Sequence, residues 1–336
     1  MKRAIVADVH LSGYKDDAIQ GDGLPLRLSG IIKTLQNICM FCKKNDIKNV
    51  DIAGDLNNDK DIIYTDAQNA FVQILTLFPE LHFTLISGNH DMSSAGEYQT
   101  SSIQALGGYP NAHCIFKPTV IDNITFIPFS KDMCKNVNEA DPNSILISHF
   151  GLNEAKLQSG ISIVSDIKIN QLLKFNLVLL GHYHKPQELH KNDTRLFYVG
   201  NPVHFNWNDK NEQKRFLVYD TKTLEIASFS LNGFVEYREF IVDENTKDIK
   251  SILDEAIKLK SEGHHVRIRK LIDTKIQTDP KHDDLIIINE NKTQHQDRGI
   301  KMTMSQKEIY EKYLEYKKIP KEEQTEYLKD LDEVLN

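Results

Sequence analysis

Five short segments of this 336-residue chain each deliver a metal-type ligand, and four of them do so directly after an apolar run. The runs Ala4-Ile5-Val6-Ala7, Phe83-Thr84-Leu85-Ile86, Ile145-Leu146-Ile147 and Leu177-Val178-Leu179-Leu180 read as buried strands. They lead into Asp8-Val9-His10, Gly88-Asn89-His90-Asp91, Ser148-His149 and Gly181-His182-Tyr183-His184. The fifth segment, Gly54-Asp55, follows Val50-Asp51-Ile52-Ala53, a weaker strand with a polar interruption. Strands that end this way constrain the fold, because their carboxyl ends must converge on one rim of a sheet, where open α/β folds place their active sites. Asp, His and Asn together offer hard oxygen and imidazole nitrogen, a mixture suited to manganese, iron or zinc rather than calcium.

Between these segments the chain alternates strand and helix patterns up to about residue 240. Leu28, Ile31, Ile32, Leu35, Ile38, Cys39 and Cys42 recur at helical spacing and predict a helix to Lys44 with one buried face. A second helix is expected from Thr65, with Gln68 completing a capping box. From about residue 120 strand patterns dominate: 124–129, 144–148, 196–199, 216–219 and 225–231. Helices early and strands late predict an α/β chain, a two-sheet β-sandwich flanked by helices. After residue 241 the pattern changes. Asn245 is placed to cap a helix carrying Ile249, Ile252, Leu253, Ala256 and Ile257, and Gly263 to stop it. With strands around Val266–Ile268 and Leu285–Ile288, this predicts a small α+β lobe over 241–290. Residues 291–304 read as a polar linker, and 305–336 as a helical tail broken at Pro320, with a capping box at Ser305 and Glu308.

Composition excludes several classes. A hydrophobic content of 40% with 26% charged residues describes a globular chain, and no apolar run approaches the roughly 18 residues of a membrane span. Four cysteines suit a reducing compartment, and Met1-Lys2-Arg3 leads straight into a strand rather than a leader, so a cytoplasmic location is expected. A formal charge of −7 runs against a broadly basic nucleic-acid surface. If a chain of this composition acts on nucleic acid, it must hold it through bound metal, local Lys/Arg patches or a partner.

The ordered set D-x-H, G-D, G-N-H-D, a lone His and G-H-x-H resembles the calcineurin-like metallophosphoesterase superfamily. Within it, the chain is similar to the SbcD-type nuclease subunit of the double-strand-break repair complex and its compact phage relatives. Three further stretches carry that likeness: a polar loop and then Arg27 before the long helix, the turn Tyr198-Val199-Gly200-Asn201-Pro202, and the α-then-β segment after residue 240. The resemblance covers about residues 1–290. One departure is Leu56-Asn57-Asn58 after Gly54-Asp55, where the nucleases usually carry an aromatic and then Asp or His. The resemblance implies the metallophosphoesterase fold, with a nuclease domain at 1–240, a DNA-binding cap at 241–290 and a partner-docking tail at 305–336.

The resemblance also implies a ligand set for two divalent ions, most readily Mn2+, with Fe2+, Zn2+ or Mg2+ as alternatives. Asp8, His10, Asp55 and His184 would hold one ion. Asp55, Asn89, His149 and His182 would hold the other, with Asp55 shared. Such a pair generates a hydroxide nucleophile and neutralises charge on the phosphoryl oxygens. His90 would then donate a proton to the leaving oxygen or steady the transition state, and Asp91 would orient His90 or His10. Relatives combine double-strand exonuclease and single-strand endonuclease activity, with DNA as substrate and an SbcC-type coiled-coil ATPase as partner; a homodimer stays open. The same motifs would serve a small-molecule phosphodiesterase, and the tail an adaptor. Arg27, His204, Lys210, Lys214 and Arg215 are candidate substrate contacts, with Trp207 on the same loop; a solvated loop is the alternative. The remaining histidines lack a motif, and Cys39-x-x-Cys42 is assigned to core packing.

Overall fold

Both faces of the central strands carry apolar side chains, and that alternation decides the architecture. The computed structural model describes residues 1–93, 100–157, 160–161, 164–191, 194–271, 285–289, 306–317, 319–321, 324 and 327–328. Its strands are β1 (Lys2–Val6), β2 (Asn49–Ala53), β3 (His82–Ile86), β4 (Ala112–Ile115), β5 (Thr119–Ile121), β6 (Ile124–Ile127), β7 (Ile145–His149) and β8 (Leu177–Gly181). They continue as β9 (Gln187–Lys191), β10 (Thr194–Tyr198), β11 (Arg215–Asp220), β12 (Ile226–Ser230), β13 (Tyr237–Val242), β14 (His265–Lys270) and β15 (Ile286–Asn289). The helices are α1 (Leu26–Lys44), α2 (Thr65–Leu77), α3 (Met133–Glu139), α4 (Ile169–Leu172), α5 (Ile249–Ser261) and α6 (Gln306–Tyr316).

Two six-stranded mixed sheets result, in the orders β12-β11-β1-β2-β3-β4 and β5-β6-β7-β8-β10-β9. Within them β1, β2, β3 and β4 run parallel to one another, as do β6, β7, β8 and β10, while the outer strands pair antiparallel. Ile5, Ala7, Ala53 and Ile86 from the first sheet meet Ile145, Ile147, Leu177 and Leu179 from the second in one core layer. Their sequence neighbours Ala4, Val6, Ile52 and Leu85 face α1 and α2 instead. Leu146, Val178 and Leu180 pack with Leu172 of α4 and Val137 of α3. This is the expected α/β two-sheet sandwich with helices outside. Each buried Leu or Ile contributes roughly 1.5–3 kcal/mol, and a one-residue slip would exchange the two faces, so the register is tightly held. That register fixes where the strand ends, and hence the ligand residues, emerge.

Local details depart from the sequence reading. The first helix starts at Leu26, after Pro25, which supplies no side-chain cap. Its cap comes from elsewhere: the carboxylate of Asp17 accepts the Arg27 N–H at 3.0 Å. The capping box expected at Thr65 and Gln68 is absent, because Thr65 is already helical and Tyr64 takes the cap position. Asp248 rather than Asn245 caps α5, accepting the Ser251 N–H at 2.9 Å. Gly263 does stop α5, at φ 92°, with His264 N donating to Leu259 O. Cys39 and Cys42 are buried free thiols on the core face of α1.

Contacts divide the chain into two compact units, Met1–Glu239 with Leu259–Val266, and Phe240–Lys258 with Arg267–Asn336. In the second, β14 and β15 are parallel, and α6 buries Leu314 while Tyr310 stacks on Tyr313. The linker at 291–304, Ser305 and the final positions Leu331, Val334 and Leu335 lie outside the described residues. No helix among the described residues is long and apolar enough to cross a membrane.

Candidate metal centre

The parallel strands end together, and the ligand-type residues follow within a few positions. Asp8 and His10 lie past β1, Asp55 past β2, Asn89 to Asp91 past β3, His149 ends β7, and His182 and His184 follow β8. Asp8 N donates to Gly54 O at 3.1 Å and His10 N to Asp55 O at 3.0 Å, so the first two loops are tied together. Asp8, His10, Asp55 and His182 all have positive φ, at 54°, 51°, 51° and 95°. Non-glycine residues avoid this region because Cβ crowds the backbone, and a cluster of such residues marks strain held for function. Two glycines serve close approach. A Cβ on Gly54 would overlap the His149 ring, and one on Gly88 would overlap the Asp55 carboxylate.

These side chains converge. Asp55 Oδ2 lies 3.3 Å from His149 Nε2 and 3.8 Å from His10 Nε2. His10 Nε2 and His184 Nε2 stand 3.0 Å apart. Asn89 Oδ1 is 3.1 Å from His149 Nε2 and 2.9 Å from His182 Nδ1. Two groups compact enough for a metal ion emerge among the described residues: Asp8, His10 and His184, and Asp8, Asp55 and His149. All seven residues expected as ligands therefore share one rim, with Asp8, Asp55 and His149 almost wholly buried.

His90 is half-buried, and its Nδ1 lies 2.6 Å from the Asn58 carbonyl, to which it donates. Its backbone N–H donates to Asp55 Oδ1 at 2.8 Å. Asp91 does not reach the ring of His90 or His10 as expected. Its carboxylate instead accepts the N–H groups of Gly88, Leu56 and Asn57, knitting the two loops together. Two supporting residues, Tyr14 and Phe205, escaped the sequence reading, and Asn58 entered it only as a departure from the family pattern. Asn58 works through its backbone, which side-chain identity does not reveal. Tyr14 donates its hydroxyl to His10 O at 2.5 Å, and the ring of Phe205 packs edge-on against His10 and His184.

Burial dominates the electrostatics. It pushes the Asp8 carboxyl up to about 7, with Asp55 adding to the shift. It likewise raises Asp91 to about 6. Burial lowers His10 to about 3, and His182 and His184 to about 4, so these imidazoles are uncharged with lone pairs available. For His149 burial is outweighed by Asp55 and Asp8, which raise it to about 9. For Asp55 burial is outweighed by His149 and His10, which hold it below the usual carboxylate range. Buried carboxylates beside neutral imidazoles form a donor set that calls for cations. His10 Nδ1 also lacks any hydrogen-bond partner. The residues fit divalent metal ions.

The candidate substrate contacts need correction. Lys214 is fully buried, with its ammonium bonded to Asn201, Asp209 and Glu212, so it cannot meet a phosphate. His204 is also buried. It donates from Nε2 to Glu212 O and accepts the Tyr237 N–H at Nδ1, which makes it a structural residue. Arg215 donates to Tyr198 O at 3.1 Å. Arg27 pairs with Asp17 and lies over the Tyr14 ring. Lys210 keeps a partly exposed ammonium 3.3 Å from Glu239.

The family match agrees with this geometry. Residues 1–186 match the calcineurin-like phosphoesterase family. The chain is 25% identical over 317 residues to exonuclease subunit 1 of Enterobacteria phage T4, spanning 83% of this chain and 87% of that protein. It is also 25% identical over 142 residues to the SbcD component of the SbcCD nuclease of Staphylococcus epidermidis, covering 41% and 37% of the two chains. A dimetal phosphatase structure from Danio rerio aligns at a TM-score of 0.43 and 11% identity, over 69% of this chain and 99% of that one. With the family match spanning more than half its length and both sheets carrying the ligand set, the chain belongs to the calcineurin-like phosphoesterase family, a group of metal-dependent phosphoester hydrolases.

Proposed function

We propose that this chain is a two-metal DNA nuclease, acting as a double-strand exonuclease and single-strand endonuclease. The observation that supports the two-metal reading is that Asp55 Oδ2 lies close to both His10 Nε2, at 3.8 Å, and His149 Nε2, at 3.3 Å. Asp8, His10 and His184 would hold one ion with Asp55, and Asn89, His149 and His182 the other. When bound, the ions would acidify water and offset charge building on the phosphoryl oxygens. Manganese suits this set best, with Fe2+, Zn2+ or Mg2+ as alternatives. His90 is the proton donor. Asn58 O holds its Nδ1–H, so in the imidazolium form Nε2 carries the second proton, which passes to the leaving oxygen and returns the ring to neutral. The bond from His90 N to Asp55 Oδ1 keeps that acid registered to the shared carboxylate.

The DNA reading is supported by similarity to an exonuclease subunit and a nuclease subunit. That both are subunits supports a partner, which we assign as an SbcC-type ATPase engaged by the tail in the cytoplasm. The exposed Ile309, Tyr313 and Tyr316 of α6 fit such a contact. The test is incubation with manganese and three substrates: linear duplex DNA, single-stranded circles and a small phosphodiester. Release of nucleotides from duplex ends and cleavage of circles is expected. Hydrolysis of the small diester alone, with both DNAs intact, would replace this reading with a small-molecule phosphodiesterase. A chain ending at residue 300 should keep diester hydrolysis and lose co-purification with the ATPase; retained association would remove the tail from the docking role.

A further inference from the structure

We propose that Lys214 is a positioning residue for one metal position, the one built on Asp8, His10 and His184, acting through a buried clasp that fixes Asn201 and Phe205. The inference rests on the two-metal reading above. A fully buried ammonium is rare and is tolerated only when every proton is used. Here the three protons have three acceptors: Asn201 Oδ1 at 2.5 Å, Glu212 Oε2 at 2.6 Å and Asp209 Oδ1 at 2.7 Å. So costly an arrangement holds something in place, and its outward connections show what.

Two routes run from the clasp to the same pair of histidines. Asn201, whose side chain Lys214 holds, donates its backbone N–H to His184 O at 3.1 Å. The preceding Gly200, at φ 82°, sits so close to that carbonyl that a Cβ would press on it. The second route passes through Asp209. Its Oδ2 accepts the Phe205 N–H at 2.9 Å and the Asn206 N–H at 3.3 Å, fixing the backbone that carries Phe205. The Phe205 ring then stands 5.5 Å from His10 at 90° and 5.8 Å from His184 at 62°. The His184 backbone and the rings of both His10 and His184 are thus held from one buried charge centre. His149 is the last residue of β7, and His182 directly follows β8 with its N–H bonded to the Asp8 carboxylate, so neither is reached from the clasp. Loosening the clasp should therefore weaken one metal position and spare the other.

The test uses the full chain, stripped of metal and titrated with Mn2+, with binding followed by calorimetry and by electron paramagnetic resonance. Wild type should bind two ions and give the spectrum of a coupled pair. Lys214→Met removes the clasp, and Phe205→Leu removes the ring while keeping its N–H on Asp209. In each, one ion should bind roughly 10–100-fold more weakly, the range seen when groups supporting metal ligands are lost. The other should bind as in wild type, so that substoichiometric samples show isolated Mn2+. Lys214→Met leaves the buried Asp209 and the half-buried Glu212 without a cation; if it fails to fold, Phe205→Leu decides alone. Two ions bound with wild-type affinities in folded Phe205→Leu would overturn the proposal. Fewer than two ions in wild type would instead bring down the two-metal reading, and this inference with it.

Discussion

Two groups of buried charges sit in the same sandwich and end differently. Within the first sheet, Arg3 donates to Asp51 from Nε at 2.9 Å and Nη2 at 2.5 Å, and to Thr84 at 3.1 Å. Tyr219 donates its hydroxyl to the same carboxylate at 2.8 Å. Burial alone would lower the Arg3 pKa, but Asp51 overrides it and drives the value up. That network closes on itself. At the rim, Asp8, Asp55 and Asp91 are equally buried, yet no Lys or Arg bonds to them among the described residues. Their neighbours are backbone N–H groups and imidazoles, of which burial neutralises His10, His182 and His184. A closed network stabilises a fold; an open one of this sign requires cations from outside.

The comparison can be broken at each end. Asp55→Asn should have the largest effect, lowering manganese-dependent hydrolysis by more than the roughly 10²–10⁴-fold of a lost proton donor, since it disturbs both ion positions. A rate near wild type would remove Asp55 from the centre. His90→Ala comes next. Turnover should fall by roughly 10²–10⁴-fold with metal content unaltered; loss of an ion would make His90 a ligand instead. In the closed network, Arg3→Met strands the Asp51 carboxylate and should cost about 3–5 kcal/mol in chemical denaturation. Adding Asp51→Leu should recover most of that loss, and metal binding should not change in either variant.

The smallest effect is one of pH, in the metal-free protein. Asp8 at about 7 and His149 at about 9 lie above their ordinary values of 3.8 and 6.5, so the folded state holds their protons more tightly. Their contributions are complete below those ordinary values and are lost as pH rises through about 7 and about 9. His10, at about 3, and His182 and His184, at about 4, have the opposite sign: their contributions are present above 6.5 and fall away toward pH 3–4. Thermal stability should thus decline from pH 7 to 9 without metal. With Mn2+ the trend should reverse, because ions displace those protons and bind more tightly as pH rises. A flat profile in both states would contradict the assigned protonation.

The parts of this molecule that follow from local pattern were legible in the sequence. The β1, β7 and β8 runs are buried on both faces and announce themselves as strands, and the ligands at their ends follow from register. The polar break in β2 was legible as a weakness only. Asp51 is explained by Arg3 and Tyr219, partners 48 and 168 positions away, which pairing of β1 with β2 and β11 brings near. The same reason defeats the reading of the 201–215 loop. Lys214 looks like a surface cation beside polar neighbours, and only the folded turn shows Asp209 and Glu212 closing over it. Asp91 was misplaced because its partners are backbone N–H groups, which no side-chain pattern records.

The central claim is that the open cluster takes up two ions that share Asp55. It is tested most directly by counting. Metal-free wild type and Asp55→Asn are equilibrated with Mn2+ by dialysis and assayed for protein and metal. The account predicts two ions per wild-type chain and a marked loss at both positions in Asp55→Asn. One ion or none in wild type, or two ions held with unchanged affinity in Asp55→Asn, would contradict it.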